Sequence, residues 1–185
     1  AQADPLPAEN AAQHAAAYDN AMKAKQFMAD YRRSSRTGGV GGLLPGAGST
    51  EANRMDNISA TLQSQGVPKG QGAVSDFERR LFGRMTLRRD ATEAANQTVV
   101  DAYEMMERRL REKQSFEDAY FRTHRTTAGM ATAWEKYINS PEGRLLTEDK
   151  KGNVIINKDH KSWKEWFKSQ EKGASKIDAS KVIAL

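Results

Sequence analysis

Ser75-Asp76-Phe77-Glu78-Arg79-Arg80-Leu81-Phe82-Gly83 opens the stretch that decides the fold, and Gly129-Met130-Ala131-Thr132-Ala133-Trp134-Glu135-Lys136-Tyr137-Ile138-Asn139 closes it. Ser75 and Glu78 stand three apart, the spacing of a capping box, in which hydroxyl and carboxylate each satisfy an orphan amide at a helix start. Phe77, Leu81 and Phe82, with Met85 one turn on, give that short helix one apolar side. Arg79, Arg80, Arg84, Arg88 and Arg89 project elsewhere.

Asp90 or Thr92 then starts a long helix, with Glu93 in its first turn. Ala91, Ala95, Val99, Ala102, Met106 and Leu110 recur at steps of three and four and keep to one face. Small residues at the early end predict a close crossing of a neighbour near Ala95. Phe116 and Tyr120 resume the face after Arg109 and Lys113 intrude on it. The opposite face offers Glu104–Arg108 and Glu107–Arg111 as i,i+4 pairs, each worth about 0.2–0.5 kcal/mol. Thr126-Thr127 with Gly129 ends this helix and begins another, anchored by Trp134 and Tyr137 with Met130 and Ala133 alongside. Asn139-Ser140-Pro141 stops it, because proline disfavours the α region in the residue before it.

Upstream, residues 1–7 read as a proline-bearing tail, and Ala8 to Arg33 as an alanine-rich helix, since alanine costs least in a helix. Its weak apolar stripe of Tyr18, Met22, Phe27-Met28 and Ala29 suits close helix–helix contact. Arg32, Arg33 and Arg36 at its end fit the helix dipole or a phosphate or lipid contact. Residues 34–48 hold six glycines and the Leu43-Leu44 pair, and read as a hinge whose leucines dock locally. No Walker loop is present, because no lysine follows the glycines to meet a phosphate. Ser49 or Thr50 caps a short helix through Gln63, with Ala52, Met55, Ile58 and Leu62 inward. Gly66 to Gly72 breaks the chain again.

Downstream, Leu145-Leu146-Thr147 and Val154-Ile155-Ile156 flank a Lys150-Lys151-Gly152-Asn153 turn. The pattern predicts a small β-hairpin near 145–156, or an extended loop clipped to a neighbour. A short helix from His160 to Gln170 follows, with Trp163, Trp166 and Phe167 among lysines. Those aromatics suit core packing, base stacking or a membrane interface. The closing Val182-Ile183-Ala184-Leu185 reads as a docking peg.

The fold class is thus mainly α: helices on glycine-rich hinges, extended in arrangement, with one long central helix and a small hairpin. Four stretches divide the chain, namely 1–33, 34–74, 75–140 and 141–185. Phe77, Leu81, Phe82, Met106, Leu110, Tyr120, Trp134, Tyr137, Trp163 and Phe167 are the expected packing and oligomer anchors.

Composition sets limits on chemistry. The 185 residues include no cysteine, which removes disulfides, thiolate metal sites and cysteine nucleophiles together. His14, His124 and His160 lie far apart and form no metal-binding spacing, so neither a metal nor another cofactor is expected. No run approaches the roughly 18 apolar residues of a membrane span. The chain starts at Ala1 with no leader pattern and reads as a processed product or an excerpt of a longer protein. Only 38% of residues are apolar, 29% are charged, and the mean hydropathy is −0.78. So lean a chain is expected to bury part of its apolar surface against sister copies. The net charge of +5 fits nucleic acid or acidic lipid as a neighbour, or a merely soluble surface. An enzyme, for instance one cleaving peptidoglycan, would need a carboxyl with a raised pKa. Glu78 and Glu142 are its candidates, and no cleft is foreseen around either.

The order of these parts resembles the C-terminal region of the internal virion proteins of tailed bacteriophages, also called DNA-transfer or ejection proteins. The residues that carry the resemblance are Ser75-Asp76-Phe77-Glu78, Leu81-Phe82, Phe116, Tyr120, Gly129, Ala133-Trp134 and Tyr137, within about 37–143. Thr126-Thr127-Ala128-Gly129 stands where the family shows GTLxG, and Asn139-Ser140-Pro141 stands for its Asn-Pro ending. The resemblance implies a non-enzymatic virion part, in the capsid interior or at the portal and tail, that passes to the host envelope during delivery. It implies a ring-like homo-oligomer, with portal, tail or fellow ejection proteins as partners and double-stranded DNA held without regard to sequence, Arg79, Arg80, Arg84, Arg88 and Arg89 being the candidates for its backbone contacts. A neck, portal-associated or tail-tube protein that stays with the particle is the alternative.

Overall fold

The computed structural model describes residues 8–36, 50–65 and 74–170. The tail 1–7, the Leu43-Leu44 hinge, the Gly66 to Gly72 break and the closing Val182–Leu185 peg lie outside the described residues. Within them the protein is mainly helical, with a long central helix and a two-stranded hairpin. The elements are α1 (Ala8–Arg36), α2 (Thr50–Gln65), α3 (Asp76–Phe82), α4 (Glu93–His124), α5 (Met130–Asn139), β1 (Leu146–Glu148), β2 (Val154–Ile156) and α6 (163–170).

The 32 residues of α4 form the spine, roughly 48 Å long at 1.5 Å per residue. Thr92 caps its start through a side-chain bond from the Ala95 amide. Three apolar cores follow one another along it. In the first, Phe27, Met28 and Tyr31 of α1 meet Met55 and Leu62 of α2 and Val99 and Val100 of α4. The second joins Leu81 and Phe82 of α3 to Ala102, Met106 and the Leu145-Leu146 pair. The third gathers Phe116, Trp134, Tyr137, Ile138 and Trp166. The first core draws on residues from three of the four sequence stretches.

The buried face of α1 is built on small residues, as its composition implies: Ala17, Ala21 and Ala24 are all inside. The helix runs antiparallel to α4. Tyr31 Oη donates to Ala91 O (2.7 Å), Lys25 pairs with Glu104, and Ala17 packs on Leu110. Two expectations change here. Ala95 itself is exposed, and the packing on α1 is made further along, by Val99 and Val100. Glu104 is drawn to Lys25 on α1 and not to Arg108, because α1 brings a cation to it from outside its own helix. Glu107–Arg111 forms as expected.

At its far end α4 is capped by Arg125 in the left-handed region, and Gly129, at φ 79°, turns the chain into α5. The hairpin pairs Leu146 with Ile156, Thr147 with Ile155 and Glu148 with Val154, antiparallel. Its inner side closes the second core, which supplies the support a lone hairpin lacks.

Candidate functional site

The capping box foreseen at Ser75 is present in full. Ser75 Oγ accepts from the Glu78 amide (3.2 Å), and Glu78 Oε2 accepts from the Ser75 amide (3.0 Å). Glu78 is fully buried, and its second oxygen accepts from the Leu145 amide, tying α3 to the approach to β1. Glu142, the other carboxyl weighed for acid–base work, accepts a hydrogen bond from Lys161 Nζ at 3.0 Å.

The five arginines singled out as DNA contacts are mostly engaged inside the molecule. Arg79 pairs with Asp76, Arg84 with Glu148 and the Gly152 carbonyl, and Arg88 with both oxygens of Asp90. Arg89 is a correction. It is 4% exposed and donates two hydrogen bonds to Asp56 of α2, at 2.7 and 2.9 Å, so it fastens α2 in place and presents nothing outward. Arg80 alone of the five is exposed without an acid partner among the described residues. At the end of α1, Arg32 is held by Glu93 and Gln97 of α4, whereas the Arg36 side chain lies outside the described residues.

The expected anchors turn inward. Leu81, Phe82, Met106, Leu110, Trp134 and Tyr137 are buried within the chain, and Phe77, Tyr120, Trp163 and Phe167 pack partly buried against the same cores. Phe116 is the hub of the third core: its ring lies 5.3 Å from Trp134, 5.5 Å from Trp163 and 5.6 Å from Phe167. Core packing is therefore the role of the Trp/Lys-rich helix aromatics. The large apolar side chains left open among the described residues are Tyr18, Met22 and Phe121.

Between the second and third cores sits a buried polar centre that the sequence showed only as an interruption. Arg109 is 1% exposed, with its guanidinium 5.2 Å from the Tyr137 ring and 5.8 Å from Trp134. It donates to the Gly143 carbonyl and lies 3.7 Å from Glu112. Tyr137 Oη donates to the Lys161 carbonyl at 2.8 Å. Burial pushes the Tyr137 hydroxyl pKa up, with the nearby Glu112 carboxylate adding to it. Burial, reinforced by Arg109, pushes the His160 imidazole down. Arg109 and Tyr137 are enclosed by these contacts, whereas His160 and Lys161, together with Glu142, line an open cavity of about 820 Å³, so a cleft not foreseen from the sequence does lie beside Glu142.

On the other side of α4 lies an open groove of about 580 Å³ between α4 and α6, lined by Arg111, Gln114, Ser115, Asp118, Arg122 and Lys164. Nothing local in the sequence marks it, because its lining comes from two helices separated along the chain. Among the described residues no helix is long and apolar enough to cross a membrane, and no cluster of three or more His, Cys, Asp or Glu is placed to hold a metal ion. Comparison with family models, with curated proteins and with solved structures finds no match for the chain.

Proposed function

We propose that the protein is a non-enzymatic structural component of a bacteriophage virion, an internal or ejection protein whose copies assemble into a conduit for double-stranded DNA entering the host. The observation that supports this reading is the use the fold makes of the residues that carry the resemblance. Ser75 and Glu78 form the capping box, Leu81 and Phe82 enter the second core, and Phe116, Trp134 and Tyr137 make the third. Tyr120 donates to the Ala128 carbonyl beside Gly129. The likeness therefore falls on residues that build one packing scheme, not on scattered surface positions. A lean composition and the open Tyr18 and Met22 of α1 suit contact with sister copies.

A second reading has an observation of its own. Three closed cores along α4 are costly to unpack for passage through a narrow tail, which favours a neck, portal-associated or tail-tube protein that keeps its place. Quantifying the protein in intact and in emptied particles separates the two: an ejection protein is lost with the DNA, and a neck or tail-tube protein is retained. Absence from both kinds of particle overturns the virion reading altogether.

A further inference from the structure

The positive charge of the surface is unevenly neutralised. Around α3, acids and carbonyls hold Arg79, Arg84, Arg88 and Arg89. On the far half of α4 the balance reverses. Arg108, Arg122 and Arg125 are exposed, and none has an acid partner among the described residues. Positions 108, 111, 115, 118 and 122 advance by threes and fours, so they share one face of the helix, and Arg125 follows at its C-terminal cap. Lys164 of α6 lines the opposite wall of the groove from Arg111 and Arg122, and Lys168 follows one turn later.

Like charges gathered in one groove repel, and against Arg111, Arg122 and Lys164 the groove itself sets only Asp118, so an anionic ligand relieves the excess. From Arg111 to Arg122 the helix rises roughly 16 Å, a span that covers several successive phosphates of a nucleic-acid strand. Gln114 and Ser115 between the cations add neutral donors of the kind that grip phosphate oxygens. A bilayer surface would need an apolar helix face to insert, but that face of α4 is already buried on α1, α3, α5 and α6. Phe121 is the one large apolar side chain exposed on α4.

The geometry points to the α4–α6 groove as a seat for the sugar-phosphate backbone of a nucleic acid, held by Arg108, Arg111, Arg122, Arg125, Lys164 and Lys168 without readout of sequence. The charge argument stands by itself; that the strand is genomic DNA rests on the conduit reading. Asp118 is the one acid lining the groove, and it opposes binding, as does Glu107, which already pairs with Arg111.

The test is fluorescence anisotropy of the full chain with two unrelated labelled duplexes of about 30 base pairs, across about 50–200 mM salt. Both duplexes bind alike, with affinity falling steeply as salt rises. The double variant Arg122→Glu/Lys164→Glu weakens binding at least about tenfold and flattens the salt slope. Asp118→Asn tightens it, and Arg80→Glu changes it little; unchanged circular-dichroism melts show that the variants fold. Retained binding in the double variant with loss in Arg80→Glu overturns the groove while leaving the conduit reading intact. No binding of wild type at the lowest salt also overturns the groove, and particle composition then decides the conduit reading separately. Groove-dependent binding to phosphatidylserine vesicles without binding to DNA overturns it in favour of a lipid headgroup.

Discussion

Arg109 donates from a fully buried guanidinium to the backbone carbonyl of Gly143, 34 positions further along the chain. The aromatic faces of Tyr137 and Trp134 flank the same guanidinium. One side chain of α4 thereby fixes the corner where α5 gives way to the hairpin. Replacing it with alanine opens a cavity beneath two aromatics and strips a buried carbonyl of its donor, a loss of about 3–5 kcal/mol. Arg109→Met fills most of that volume and loses less, since two of the guanidinium nitrogens already lack hydrogen-bond partners. Urea denaturation of the two variants gives the comparison, and equal losses would refute the packing account.

Gly143 is required for a steric reason. A Cβ placed there would meet the Tyr137 carbonyl oxygen at 1.8 Å, a contact with backbone that no rotamer relieves. Gly143→Ala is expected to cost more than about 3 kcal/mol. At Gly129, with φ +79°, an added Cβ comes 3.1 Å from Tyr120 Oη, and the left-handed conformation costs an alanine about 1–2 kcal/mol. Thermal melts should rank Gly143→Ala well below Gly129→Ala.

The two members of the capping box are unequal. Ser75→Ala removes one cap, worth about 1 kcal/mol. Glu78→Ala leaves the Ser75 and Leu145 amides buried without an acceptor, which adds about 1–3 kcal/mol for each. A chevron or equilibrium unfolding series should place Glu78→Ala at more than twice the loss of Ser75→Ala.

Stability should fall with acid in two steps. The folded pKa of His160 lies below its ordinary 6.5, through burial and then Arg109, so the unfolded chain takes up the proton first. Stability is full above pH 6.5 and declines as pH drops from there toward the lowered folded value. Asp30 supplies the second step. Burial acts to raise its pKa, but hydrogen bonds from Arg54 and Gln26 outweigh that and leave it below 3.8. Its contribution is present above pH 3.8 and is lost as pH falls further. His160→Gln should flatten the first decline and spare the second, read as urea midpoints against pH.

Local signals were the legible part of the sequence. Ser75 with Glu78, the 3–4 stepping of Val99, Ala102, Met106 and Leu110, and the strand–turn–strand pattern after Pro141 are each contained within a turn or two of chain. What was not legible depended on partners far away. Arg89 looks like its neighbours until Asp56, 33 residues back, is found across from it. Arg109 reads as a flaw in an apolar stripe until Tyr137 and Trp134 enclose it. The groove could not be read because Arg122 and Lys164 meet only after α5 and the hairpin have brought α6 alongside α4.

The seating of α1 also has a consequence for synthesis. Tyr31 reaches its acceptor at Ala91 across 60 positions, and Val99 and Val100 lie further still. At ordinary elongation rates, the greasy side of α1 is therefore synthesised about 3–12 s before its counterpart is translated. During that interval Phe27 and Met28 are exposed to any holdase in reach, and a nascent chain stalled before position 99 carries half a core with nothing to close it.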